Sequence, residues 1–316
     1  MSPVSDERLA ELTDKLENGV KELYASGRYA EYLAAMSKFH HYSFGNALLI
    51  LFQYPTASRV AGYGTWKKLG RQVKRYEKGI KILAPCPYQK AVEQERKDPT
   101  TGQILYAPDG KPLRELCYVP ATHFKVATVF DISQTEGREL PNIGVSELTG
   151  EVADFQAVYD RLTALSPLPV VQEPFPGTAK GYTSFIEQRI VLQPDMGQAQ
   201  TIKTLVHEIA HAKLHAPDVL TNEKRKQRRE REVEAESVAY VVCQHFGLDT
   251  AEYSFGYVAG WSRGQELAEL KASLDCIHST AGEIINAIQP PERLPELQYA
   301  PQEKGHRSCQ QKGPRK

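Results

Sequence analysis

Thr204-Leu205-Val206-His207-Glu208-Ile209-Ala210-His211-Ala212-Lys213 sets two imidazoles and a carboxylate inside an otherwise apolar run. On a helix, residues four apart lie one above the other, so His207 and His211 can reach a single divalent ion. Glu208, between them, can lean toward a water held by that ion, the H-E-x-x-H arrangement of hydrolytic zinc sites. The five letters also arise by chance in helices whose histidines are merely solvated, so the surroundings carry the weight. Leu205, Val206, Ile209, Ala210 and Leu214 give an apolar helical face, with no proline or glycine from Gln198 to Ala216. Such a helix belongs in a core.

A hydrolytic zinc needs a third protein ligand. Arg231-Glu232-Val233-Glu234-Ala235-Glu236-Ser237-Val238-Ala239-Tyr240-Val241-Val242 begins charged and turns apolar, as a helix does when its far end enters the core. Glu232 and Glu236 share one face. Glu232 reads as the third ligand and Glu236 as a carboxylate behind the ligands, holding a ligand histidine by its other ring N–H. Glu234 points elsewhere and is the fallback ligand. Acids also favour the first turn of any helix through its dipole, which accounts for part of the acidity. His215 stands about 12 Å along the helix from His207, too far to share its ion. It reads as a substrate-side or capping residue.

The 316 residues suffice for two domains, each with its own core. No run of about 18 apolar residues occurs, and Asp6, Glu7 and Arg8 break any leader-like start, so a cytoplasmic protein without membrane contact is expected. Cys86, Cys117, Cys243, Cys276 and Cys309 are scattered and read as reduced thiols. Net charge is zero, yet residues 1–130 carry 19 Lys and Arg against 13 Asp and Glu, so the later residues are acidic by the same margin. The two halves face different partners.

Apolar positions at spacings of three and four predict a helix from about Asp6 to Ser26, a second from Tyr29 to His41 and a third from Ser43 to Gln53. Between Arg59 and Lys81 stand eight basic residues and one acid, with Tyr63, Trp66 and Tyr76 among them. Cations track phosphates and rings stack on unpaired bases, a combination suited to single-stranded nucleic acid. A solvated basic face with ordinary core aromatics is the competing reading. Further on, alternation in Ile80–Leu83, Cys117–Val119 and Phe124–Phe130 predicts an antiparallel sheet with a protruding hairpin, where Lys90, Arg96, Lys97, Lys111 and Arg114 would extend the basic groove. Gly181–Leu192 reads as two short strands around a turn. The last helix is expected from about Gln265 to Ile288.

The ordered runs Tyr42-Ser43-Phe44-Gly45-Asn46, Trp66-Lys67-Lys68-Leu69-Gly70-Arg71-Gln72-Val73, Glu77-Lys78-Gly79-Ile80 and Phe130-Asp131-Ile132-Ser133-Gln134-Thr135-Glu136-Gly137 resemble the N-terminal domain of ArdC-type antirestriction proteins. Glu232-Val233-Glu234-Ala235-Glu236 after the H-E-x-x-H is similar to the E-x-x-A-E element of that family's zincin-like metallopeptidase domain. The resemblance implies an α+β chain: an N-terminal α+β DNA-binding domain over residues 1–133, a linker over 134–150 and a mostly helical metallopeptidase domain with a small antiparallel sheet over 151–290; composition adds a basic, disordered tail over 291–316. The same resemblance implies single-stranded DNA as partner and Trp66, Lys67, Lys68, Arg71, Lys74 and Lys78 as contact candidates, with Tyr42 and Asn46 shaping the groove; the basic segment itself adds Arg59, Tyr63 and Arg75. The resemblance also implies Zn2+ held by His207, His211 and Glu232, with Glu208 catalytic on a protein or peptide substrate. Tyr182, His215 and Tyr253 are candidate oxyanion donors. Two other readings stay open: a DNA-binding protector of mobile-element DNA whose zinc is not catalytic, and a metalloprotease similar to the ImmA group that cleaves a repressor.

Overall fold

Ala47-Leu48-Leu49-Ile50-Leu51 is apolar on every side, and the chain is built to bury it. It forms the middle of helix α3 (Phe44–Gln53), whose N-cap Ser43 accepts a hydrogen bond from the Asn46 amide. Around it pack α1 (Pro3–Ala25), through Leu12, Leu16, Val20 and Leu23, and α2 (Tyr29–Lys38), through Tyr29, Tyr32, Leu33 and Met36. The computed structural model describes residues 3–25, 28–98, 101–140, 155–217, 227–248 and 266–290. Among them, no helix is long and apolar enough to cross a membrane, and Cys86, Cys117, Cys243 and Cys276 are free.

Strand β1 (Val60–Gly62) leads into the short helix α4 (Tyr63–Lys68) and then β2 (Arg71–Val73). The long strands β3 (Ile80–Glu95) and β4 (Arg114–Asp131) pair antiparallel from Ile80↔Val129 out to Glu95↔Arg114, with β1 on the other side of β4. Edge strand β3 is covered at its root by α3. The Asn46 side chain donates to the Leu83 carbonyl and accepts from the Leu83 amide, and Gln53 does the same to Lys81. Asn46 is thus a sheet-edge clamp, which removes a run of unpaired backbone groups.

The second half contains α5 (Phe155–Leu165), β6 (Val170–Gln172), β7 (Gly181–Ser184), β8 (Arg189–Leu192), α6 (Gln198–Leu214), α7 (Arg228–His245) and α8 (Leu267–Ile288). The α+β class holds. The sheet of this half is mixed, however, because β8 pairs antiparallel with β7 and parallel with β6. The chain between β6 and β7 returns across the sheet, which a strand count from sequence does not reveal.

Two boundaries differ from expectation. Residues Thr135–Gly137 form a strand, β5, paired with β2 in a separate two-stranded sheet, so regular structure of the N-terminal half continues past residue 133 into the expected linker. A single cluster of buried side chains also runs from α1, α2 and α3 into α6, α7 and α8, tied by Tyr29 Oη to Ser237 Oγ at 3.0 Å and by Lys271 Nζ to Glu17 at 2.8 Å. The halves share one core instead of each closing its own. The remainder of the expected linker, residues 141–150, and the basic tail, 291–316, lie outside the described residues.

That shared core holds a pH liability. Where α2 ends against α7 and α8, His40 lies 3.8 Å from His41 and 4.7 Å from His245, ring centre to ring centre, and His245 Nδ1–H donates to the Ser37 carbonyl. Burial, then the neighbouring imidazoles His41 and His245, hold His40 down to about 3; burial also lowers His41, His245 and His278. Above the ordinary histidine pKa near 6.5, folded and unfolded chains are both neutral here. As pH falls below it the unfolded chain takes protons that the folded chain refuses, so stability is lost. His40 alone accounts for about 2 kcal/mol by pH 5. Thermal unfolding of metal-free protein is expected to occur several degrees lower at pH 5 than at pH 7.5, and His40→Gln to shrink that difference. Equal midpoints at both pH values would count against it.

Candidate metal centre and nucleic-acid face

Helix α6 carries the H-E-x-x-H segment with its apolar side buried, Leu205, Val206, Ile209 and Ala210 being fully enclosed. Strand β7 lies directly against it: a Cβ on Gly181 would stand 2.7 Å from Thr204 Cγ2, so only glycine permits the approach. Helix α7 packs on α6 and brings in the third group. His207 Nε2 and His211 Nε2 are 3.1 Å apart, and Glu232 Oε2 is 3.7 Å and 3.5 Å from them. One ligand atom from each of the three lies within 4.8 Å of the others. Two imidazole nitrogens and one carboxylate oxygen drawn together are a donor set that fits a divalent metal ion.

Electrostatics agree with the geometry. The imidazoles of His207 and His211 beside it hold the Glu232 carboxyl far below the usual carboxylate range. Burial works against a charge on His207, but the nearby Glu232 carboxylate and the charges of Glu208 and Glu236 outweigh it and raise its pKa. A site whose residues jointly favour a positive charge is what an ion would meet.

Beside the three groups opens a cavity of about 320 Å³ lined by Lys180, Gly181, Gln200, Lys203, Thr204, His207, Glu208 and Glu236. Glu208 is 5% exposed, and the Thr183 hydroxyl of β7 donates to its Oε2 at 2.8 Å. Thr183 carries no signal in the sequence, because it meets Glu208 across 25 positions. Glu236 reaches the cavity wall and its charge acts on His207. Glu234 does not turn toward the point where His207, His211 and Glu232 meet. It is fully buried and holds His215 Nε2 at 3.0 Å, while His215 Nδ1 meets His211 Nδ1 at 3.0 Å.

His215 is therefore the C-cap of α6 and a neighbour of His211; at 2% exposure and absent from the cavity lining, it is neither a substrate-side residue nor an oxyanion donor. The Tyr182 ring packs edge-on against Phe175. Tyr253 lies outside the described residues.

The basic segment is held by the motif that follows the hairpin. Asp131, 1% exposed, accepts from the Ser58, Arg59 and Ser133 amides; burial pushes its carboxyl up, but these bonds prevail and lower it. Gln134 donates to Glu77 and to the Lys78 carbonyl, and the Lys74 amide donates to Gln134. The loop Lys74–Lys78 is thus pinned at both ends. At its tip Tyr76 has φ +68° and is 84% exposed, with the Arg75 guanidinium 4.7 Å from its ring centre. A non-glycine residue held at positive φ with its ring in water is strained for a purpose or by its neighbours. Here the pinned loop supplies the cause.

Trp66 corrects the sequence reading. It is fully buried and its indole N–H donates to the Phe130 carbonyl, so it is a core residue with no face for a base. Arg71 is half-buried and spends its guanidinium on Thr135 and the Arg138 carbonyl, a strut between β2 and β5. Lys74 Nζ reaches the Ser133 carbonyl, and the Arg59 amide is held by Asp131. Tyr63, Lys67, Lys68, Arg75 and Lys78 are exposed, and Tyr63, Lys67 and Arg71 line a depression of about 520 Å³ with Gly70, Gln72, Glu136 and Gly137. On the hairpin Arg114 pairs with Glu93 at 3.5 Å and Lys111 with Asp109 at 3.6 Å, while Lys90, Arg96 and Lys97 are exposed.

Residues 2–111 match the family model described as the N-terminal domain of anti-restriction factor ArdC, and residues 167–248 match the M78 peptidase model, IrrE N-terminal-like domain, which spans α6 with His207 and His211 and α7 with Glu232. The two matches together support an ArdC-type chain. An uncharacterized Bacillus anthracis protein, pXO2-81, is 30% identical over 317 residues, which cover 92% of this chain and 53% of the relative. This ArdC-type chain thus spans about half the length of the curated relative it matches. Crystal structures of the antirestriction protein ArdC from plasmid R388, metal-free and Mn(II)-bound, align with TM-scores of 0.46 and 0.45 at 24% and 20% identity, over 78% of this chain and 83% of theirs. At that distance the assignment rests on the two domain matches.

Proposed function

We propose that this ArdC-type chain binds single-stranded DNA through its N-terminal half and carries a zinc-dependent peptidase centre in its second half, in the service of protecting incoming mobile-element DNA. The observation that carries the enzymatic part is the convergence of His207, His211 and Glu232 beside an open cavity, with Glu208 on its wall.

Two imidazoles and one carboxylate favour zinc among the divalent ions. When bound, such an ion supplies a Lewis acid that polarises a scissile carbonyl and brings the pKa of water to about 7. The chain's own residues do the rest. Glu208 takes the proton of the attacking water and returns it to the leaving amine. Thr183 occupies one oxygen of that carboxylate, leaving the other for proton transfer and fixing the side chain in its rotamer. β7 is the edge of its sheet and flanks the cavity, so an extended peptide can add to it by backbone hydrogen bonds.

On the DNA face, Lys67, Lys68, Arg75 and Lys78 supply phosphate contacts, and Tyr63 and Tyr76 supply rings. Contacts to about four phosphates give a slope near −3 for the logarithm of affinity against the logarithm of salt. The test is a salt titration of oligonucleotide binding, single strand against duplex, together with metal analysis of the purified chain. Tyr76→Ala is expected to weaken single-strand binding by about 1–3 kcal/mol without changing the slope, since a stacked base carries no extra charge. A slope near zero would remove the phosphate-tracking face, and equal affinity for duplex would remove the stacking role.

A further inference from the structure

Behind the metal-site residues lies a buried acid that the proposed chemistry does not use. Glu234 is fully buried, its carboxylate 3.0 Å from His215 Nε2, and His215 is itself 2% exposed. A charge taken out of water in this way is costly unless every bond it makes is used. It faces away from the group formed by His207, His211 and Glu232. Its cover comes from the N-terminal helices. The Tyr29 hydroxyl meets Ser237 one turn along α7, and the Tyr24 and Tyr29 phenols, already raised by burial, are raised further by the charge of Glu234.

Hydrogen-bond chemistry gives the row Glu234, His215, His211 a direction. A carboxylate only accepts, so His215 Nε2 carries a hydrogen and donates to it. In its neutral form that ring presents a lone pair at Nδ1, which meets His211 Nδ1 at 3.0 Å and takes a hydrogen there. With Nδ1 protonated, His211 Nε2 bears the lone pair, and that atom is the one beside His207 Nε2 and Glu232. The opposite tautomer would put a hydrogen where a metal ion must approach.

We propose that Glu234 acts through His215 as a positioning relay that locks His211 in the metal-binding tautomer, and that this relay sets the affinity of the site. The inference rests on the metal reading given above but is testable apart from it. Carboxylate partners behind a ligand histidine are worth about 10- to 100-fold in metal affinity. Zn2+ is titrated into the full, metal-free chain in competition with a chromophoric chelator, and imidazole 15N shifts of the same metal-free chain are recorded at neutral pH. The relay requires the His211 ring to be protonated at Nδ1 and bare at Nε2, and Glu234→Gln to bind Zn2+ about 10- to 100-fold more weakly. The double change His215→Phe with Glu234→Leu removes both polar partners together, so it leaves no orphaned charge to unfold the core, and is expected to lose as much affinity. Wild-type affinity in either variant, or the reverse tautomer of His211 in the unaltered chain, overturns the relay. Absence of Zn2+ binding by the unaltered chain overturns the metal reading instead, and the 15N shifts still decide the relay.

Discussion

Trp66→Ala lowers the unfolding free energy by about 3–5 kcal/mol, the range for emptying a buried aromatic site. The ring is fully enclosed between α4 and the sheet, and its N–H satisfies the Phe130 carbonyl at the point where β4 runs into the Asp131 turn. The substitution therefore opens a cavity and strips a carbonyl of its partner in the segment that pins Lys74–Lys78. Urea unfolding of the two proteins measures the loss. At low temperature, where the variant stays folded, DNA affinity is expected to fall less than in Tyr76→Ala. A variant of unchanged stability that has lost DNA binding would restore Trp66 as a stacking residue.

Glu208→Gln is expected to lower peptide-bond hydrolysis about 10²- to 10⁴-fold, the usual yield of a positioned general base. The amide keeps the shape of the carboxylate and an oxygen for the Thr183 hydroxyl, so Zn2+ stoichiometry and single-strand affinity should stay as they were. Cleavage of an unstructured protein such as casein, followed alongside metal content, reads the two apart. Antirestriction activity that survives the change in cells would leave the DNA-binding half as the functional one and the metal as a non-catalytic element. Loss of that activity with DNA binding intact ties the role to hydrolysis.

Much of this was legible along single elements. Helix periodicity placed α1, α3, α6 and α7 to within a few residues, because an apolar stripe at spacings of three and four has only one way to be buried. The same periodicity put His207 and His211 on one face of α6. Where the reading failed, it failed on exposure. Trp66 sits among lysines in the sequence and inside the core in the fold, since neighbours along the chain do not decide which way a side chain of a one-and-a-half-turn helix points. Arg71 looked like a free cation and is a strut. Tyr76 was one aromatic among three until the pinning of its loop at positive φ set it apart in water.

The sequence by itself determined the types and spacing of the metal-site donors on each helix, because i, i+4 geometry is a property of one segment. Only the tertiary structure decided that α7 delivers Glu232 to the imidazoles while turning Glu234 to His215, that Thr183 holds Glu208, and that the helices of the N-terminal half close over the buried acid. These are contacts between segments far apart in the chain. Their energies come from packing and desolvation in a shared core, and no local pattern of residues encodes them.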